Sequence, residues 1–177
     1  MKTGRLEAFS NGVLAIIITI MVLELKVPQD YTFQALNRLI PKFITYLLSF
    51  IYVGIYWNNN HHLFQIVEKV NGKILWANLT FLFFLSLIPF STAYIAENHF
   101  AKNTVAVHGI NLFLFAVSFN IVQKTALDSE CKDSLAAKVY KNKTKEIIST
   151  SFYILGIAIS FLYPQISLIL FLTVALI

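Results

Sequence analysis

The chain has 177 residues, of which 57% are hydrophobic and 13% charged, and its mean hydropathy is +0.68. A soluble domain carries about 25% charged residues and needs a polar exterior. The composition therefore excludes an ordinary globular enzyme, a disordered tail and a nucleic-acid-binding module, despite a net charge of +5, and the single cysteine, Cys131, excludes a disulfide framework or a multi-cysteine zinc site.

Lipid is the solvent such a chain requires, and one crossing takes about 20 mostly apolar residues. Six spans are predicted in chain order, near residues 8–27, 40–63, 73–96, 104–124, 145–163 and 166–177. The first is the least pure, with Ser10, Asn11, Thr19 and Glu24 inside it. It lacks a small-x-small cleavage site and closes on Glu24-Leu25-Lys26, so it reads as a mature helix rather than a signal peptide. Charge-free runs mark the second through fourth: Phe43 to Val67, Ile74 to Ala96 and Asn103 to Gln123. Ile147 to Ile177 is too long for one span and is interrupted at Tyr163-Pro164-Gln165. A proline removes a donor and clashes with the preceding turn, so two helices in a tight hairpin are expected. The sixth is short and reads as truncated at the C-terminus.

Lys and Arg in the connections set the orientation. Lys2, Arg5, Lys69, Lys73, Lys124 and the lysines at 132, 138, 141, 143 and 145 fall on one side. Lys26, Arg38, Lys42 and Lys102 fall on the other, which places both termini in the cytoplasm of a multi-pass protein of the cell membrane. The basic balance is thus a topology signal, and residues 128–146 read as a solvated loop or short helix. No internal repeat of about 80 residues is visible, so residues 1–177 form one all-α, six-helix unit.

Polar groups inside a span are costly and face protein or water. On the first helix Ile16, Thr19, Ile20, Leu23 and Val27 share a face, with Phe9 and Gly12 extending it. Asn11 lies on roughly the opposite side and needs a partner inside the protein. The apolar stripe fits a buried or lipid-facing helix as well as a pore, and Thr19 fits a hydroxyl bonded to its own preceding turn. The second span closes on Trp57 and the pair His61-His62. Adjacent helix positions diverge, so the histidines are a poor chelate and read as hydrogen-bonding groups near the membrane boundary. Trp76 is either an interface anchor or a partner to them. No phosphate loop, dinucleotide motif, G-x-S-x-G or H-E-x-x-H occurs, and no cofactor is implied.

Arg5-Leu6-Glu7-Ala8-Phe9-Ser10-Asn11 resembles the R-x-x-x-F-S-D signature opening the first helix of the transmembrane protein 175 family of lysosomal and bacterial potassium channels. The run from Gly12 to Pro28 and the tryptophan and paired histidines of the second span are also similar to that family. The resemblance implies a homotetramer in the bilayer whose first helices line a central pore. It implies that Ile16 is the hydrophobic constriction and that Ile20 and Leu23 form further apolar layers. Thr19 is implied as the layer favouring potassium, which would bind there transiently, with no structural metal. Arg5, Phe9, Ser10 and Asn11 match the signature, with His61 or His62 and Trp76 as local partners for an inter-helix network. Glu24 either adds negative potential at the outer mouth or pairs with Lys26. The signature aspartate is Asn11 here, which keeps an acceptor and loses the charge. A secondary transporter or proton-coupled carrier is the competing class, and it would show inverted repeats and paired helix breaks.

Overall fold

The computed structural model describes residues 3–67, 70–130 and 144–176. Cys131 and the lysines at 2, 69, 132, 138, 141 and 143, which entered the sequence reading, lie outside the described residues. The described chain is helical, without strands. Helix α1 (Thr3–Leu23) begins and ends earlier than the predicted first span, leaving Leu25 to Val27 in the connection. That connection holds an unpredicted helix, α2 (Phe33–Asn37), started by Thr32, whose hydroxyl accepts from the Ala35 amide at 3.2 Å. Pro41 occupies the first turn of α3 (Ile40–Ile66), where its missing N–H costs nothing, and separates α3 from α2.

The third predicted span is two helices, α4 (Gly72–Ser86) and α5 (Ile88–Glu97). Asn71 caps α4, its side chain accepting from the Ile74 amide at 3.0 Å. Pro89 explains the break at Leu87, because it has no N–H for the helix ladder and its ring crowds the preceding turn. The pair still covers Gly72–Glu97, long enough to cross a bilayer. His99 and Phe100, both at positive φ (49° and 59°), turn the chain into α6 (Lys102–Leu127). Helix α7 (Thr144–Ser160) and α8 (Pro164–Leu176) form the expected hairpin, with Pro164 opening α8.

Thr3–Leu23, Ile40–Ile66, Gly72–Glu97 and Lys102–Leu127 are long and apolar enough to span a membrane, whereas α7 and α8 have 17 and 13 residues. Helix α6 is central and packs against α4, α5, α7 and α8. The core gathers where α3, α4 and α6 meet. There Phe81 stacks on Phe115 with centroids 5.2 Å apart, and Tyr56 meets Phe119 edge-on at 5.3 Å. Phe171 of α8 lies against Gly109 of α6 and Gly156 of α7, where a Cβ would collide with its ring. Helix α1 sits at the margin, packed on α3, α5 and α4.

Candidate functional site

Helix α1 has two apolar faces with different fates. Leu6, Ser10, Leu14, Ile17 and Met21, spaced at helical intervals, are buried against the rest of the chain. The other face is open: Phe9, Ile16, Ile20 and Leu23 are exposed, Ile16 by 61% and Leu23 by 71%. Thr19 is exposed among them. Its hydroxyl donates to the Ala15 carbonyl at 2.8 Å, which satisfies its one donor and leaves oxygen lone pairs for a further ligand. Ile16 and Ile20 are one turn apart, about 6 Å along the axis.

The N-terminal half of α1 is tied to its neighbours by polar contacts. Glu7 Oε1 lies 2.5 Å from His61 Nδ1. One turn further along α1 and one turn back along α3, Asn11 Oδ1 accepts from Trp57 Nε1 at 3.0 Å. The opposed steps are those of antiparallel helices. Gln65 extends the first contact, its amide nitrogen lying 2.8 Å from His61 Nε2. A carboxylate only accepts, so His61 Nδ1 donates to Glu7 while Nε2 accepts from Gln65. The Trp57 and His61 rings stack at 5.9 Å, which fixes both on one side of α3. Deeper in, Asn78 Nδ2 of α4 donates to Ser10 Oγ at 3.0 Å, and Ser10 in turn donates to the Leu6 carbonyl. Both side chains are fully buried, where an unpaired polar group is expensive.

Of the expected network, Ser10, Asn11 and His61 each make an inter-helix contact, but with separate partners: Asn78, Trp57 and Glu7. The structure does not bring in Trp76, which is 73% exposed and makes none of these contacts; Trp57 holds the indole position instead. Helix geometry is the reason, since Trp76 points away from the face on which Asn78 reaches Ser10. His62 also turns outward, its ring centroid 5.8 Å from that of His61. Arg5 and Phe9 are exposed on α1. Sequence reasoning did not place Glu7, Gln65 or Asn78 in the network. The available signal was spacing: Glu7 precedes Asn11, and Trp57 precedes His61, by four residues, so each pair shares a helix face.

At the other end of α1, Glu24 is exposed and borders a recess with Met21, Lys42, Tyr46, Thr92 and Glu97. The ion pair there joins Lys42 Nζ to Glu97 Oε1 at 3.5 Å.

Residues 5–89 match the family model described as endosomal/lysosomal potassium channel TMEM175. A protein named as a potassium channel from Chryseobacterium sp. (strain P1-3) is 55% identical over all of this chain and 92% of its own length. A second, from Chamaesiphon minutus, is 31% identical over 91% of this chain and 85% of its own. The endosomal/lysosomal proton channel TMEM175 of Homo sapiens is 32% identical over 58% of this chain, which corresponds to 22% of that longer protein. The crystal structure of a lysosomal potassium-selective channel TMEM175 homolog from Chamaesiphon minutus superposes with a TM-score of 0.86 at 30% identity, covering 98% of this chain and 94% of that one. With four helices able to cross a bilayer and relatives of this kind along its whole length, the chain is a multi-pass membrane protein and belongs to the TMEM175 family of ion channels.

Proposed function

We propose that the chain is a potassium-preferring cation channel of the cell membrane, assembled as a homotetramer with α1 of each subunit lining the pore. The open face of α1 carries this reading: Ile16, Ile20 and Leu23 stand free of their own subunit with Thr19 set between them. The names of the bacterial relatives support the ion. Residues 1–177 then act as one unit that crosses six times, with α7 and α8 as the last two crossings and both termini cytoplasmic.

In a ring of four, Ile16 closes the path, because a narrow apolar constriction excludes the water an ion needs. Ile20 and Leu23 add apolar layers above it. Thr19 supplies neutral oxygen ligands, weaker than a cage of carbonyls, so selectivity for potassium over sodium is modest. Glu24 adds negative potential at the outer mouth. The polar contacts of Ser10, Asn11 and His61 anchor the inner half of α1, with Arg5, Phe9, His62 and Trp76 around them. Gating requires Ile16 to rotate or widen.

The test is Ile16→Asn in the full chain reconstituted into liposomes. A polar ring wets the constriction and raises resting potassium flux, whereas unchanged flux removes Ile16 from the gate. Planar-bilayer recording separates the channel from a secondary transporter or proton-coupled carrier: unitary current steps support the channel, and slow saturable flux without steps overturns it.

A further inference from the structure

The connection between α1 and α3 has a composition at odds with a solvated loop. Tyr31 is fully exposed, Phe33 is 87% exposed and Leu36 is 56% exposed, and within α2 only Ala35 is buried. These rings and side chains therefore stand away from the subunit's own core. Two helices long and apolar enough to span a membrane flank the segment, α1 ending at Leu23 and α3 beginning at Ile40, which tethers it at both ends to the bilayer boundary. Leu36 is also continuous with an exposed apolar row on α3, through Ile40, Ile44 and Leu47, at steps of one helical turn. Arg38 sits where that row meets α2. It is exposed and forms no ion pair among the described residues, while the neighbouring Lys42 is held by Glu97.

We infer that α2 and its flanks form a lipid-binding shelf, with Tyr31, Phe33 and Leu36 lodged at the level of the headgroups and Arg38 holding the phosphate of an anionic phospholipid. Aromatic rings favour that depth because one end can be apolar and the other wet. A guanidinium suits it because its fork of donors matches phosphate oxygens. The shelf is joined to the C-terminal end of α1 by a short connection, so a bound lipid restrains the outer end of that helix.

The test uses the full chain with its one cysteine replaced (Cys131→Ser) and a nitroxide attached at Phe33→Cys or Leu36→Cys. Vesicles are phosphatidylcholine alone or an equal mixture with phosphatidylglycerol. The expected result is broadening by oxygen in preference to a water-soluble nickel complex at both sites. Adding phosphatidylglycerol is expected to lower nickel accessibility further, and Arg38→Gln to abolish that response while Arg38→Lys retains part of it. Preferential access by nickel places the segment in water and overturns the shelf. Protection from both agents places it under a second copy and also overturns it. Lipid-level labels with no response to phosphatidylglycerol in the native chain overturn the phosphate site.

Discussion

Glu7 and His61 meet across α1 and α3 with Oε1 and Nδ1 2.5 Å apart, one helical turn from the contact between Asn11 and Trp57. The two rungs set the register of α1 on α3. They lie on the same helix as the open face, about 2.5 turns (Glu7) and 1.4 turns (Asn11) from Ile16, so they hold one end of that helix, while the other makes no hydrogen bond to α3 among the described residues.

Glu7→Ala removes the acceptor that orients His61. Side-chain exposure of 34% for His61 and 21% for Glu7 limits the loss, so about 1 kcal/mol is expected rather than the larger cost of a buried pair. A double-mutant cycle with His61→Ala, read by thermal unfolding in detergent, should return a coupling energy of that order. Strict additivity would show that the contact does not contribute to stability.

Asn11→Asp and Asn11→Leu separate the roles of the amide at the second rung. Aspartate keeps an acceptor for Trp57 Nε1 but sets a second carboxylate one turn from Glu7, so part of the stability should be lost, less than with leucine. Leucine leaves the indole N–H without its partner and should cost about 1 kcal/mol. Trp57→Phe should match the leucine variant, and the pair should be less than additive in thermal melts.

Thr19→Ser and Thr19→Ala differ in one oxygen. Serine retains the ligand and should leave the potassium-to-sodium permeability ratio close to the native value. Alanine removes it and should lower the ratio, measured as reversal potential under bi-ionic conditions. An unchanged ratio in the alanine variant would exclude Thr19 from selectivity.

Gly109→Ala sets a methyl group against the ring of Phe171 and should destabilise by about 1–3 kcal/mol through overpacking. Combining it with Phe171→Leu relieves the clash, so the double variant should lose less than the two single losses together. Thermal melts of the three variants decide it.

Much of the helical plan was legible because apolar runs that match the bilayer are hard to mistake for anything else. The grouping of Ile16, Thr19, Ile20 and Leu23 on one face of α1 was legible from helical spacing, but not that this face stands open, since Leu14, Ile17 and Met21 make the buried face equally apolar. The need of Asn11 for a partner followed from its place in a span. Its identity did not: Trp76 was the indole expected in the network, and only the crossing of α1 on α3 selects Trp57. Glu7 was passed over for the same reason: a carboxylate near a span end is unremarkable until His61 is brought opposite. The break at Leu87 was hidden by hydropathy, since Pro89 sits among apolar residues and does not interrupt the run. Helix α2 was missed because five residues carry too little periodicity to register.

The Thr19–Ala15 hydrogen bond has a consequence for how such a protein is made. If Thr19 faces ions in a tetramer as proposed, its oxygen is a liability in a subunit that has not yet met its partners, since hydrocarbon offers a hydroxyl proton nothing to bind. By giving that proton to its own backbone, Thr19 lets the open face of α1 rest against acyl chains at little cost. Lipid wets this face as readily as a second protein would, so the choice between them is left to shape. Close fit between helices, rather than flight from water, is then what a neighbouring subunit of the proposed tetramer would have to offer.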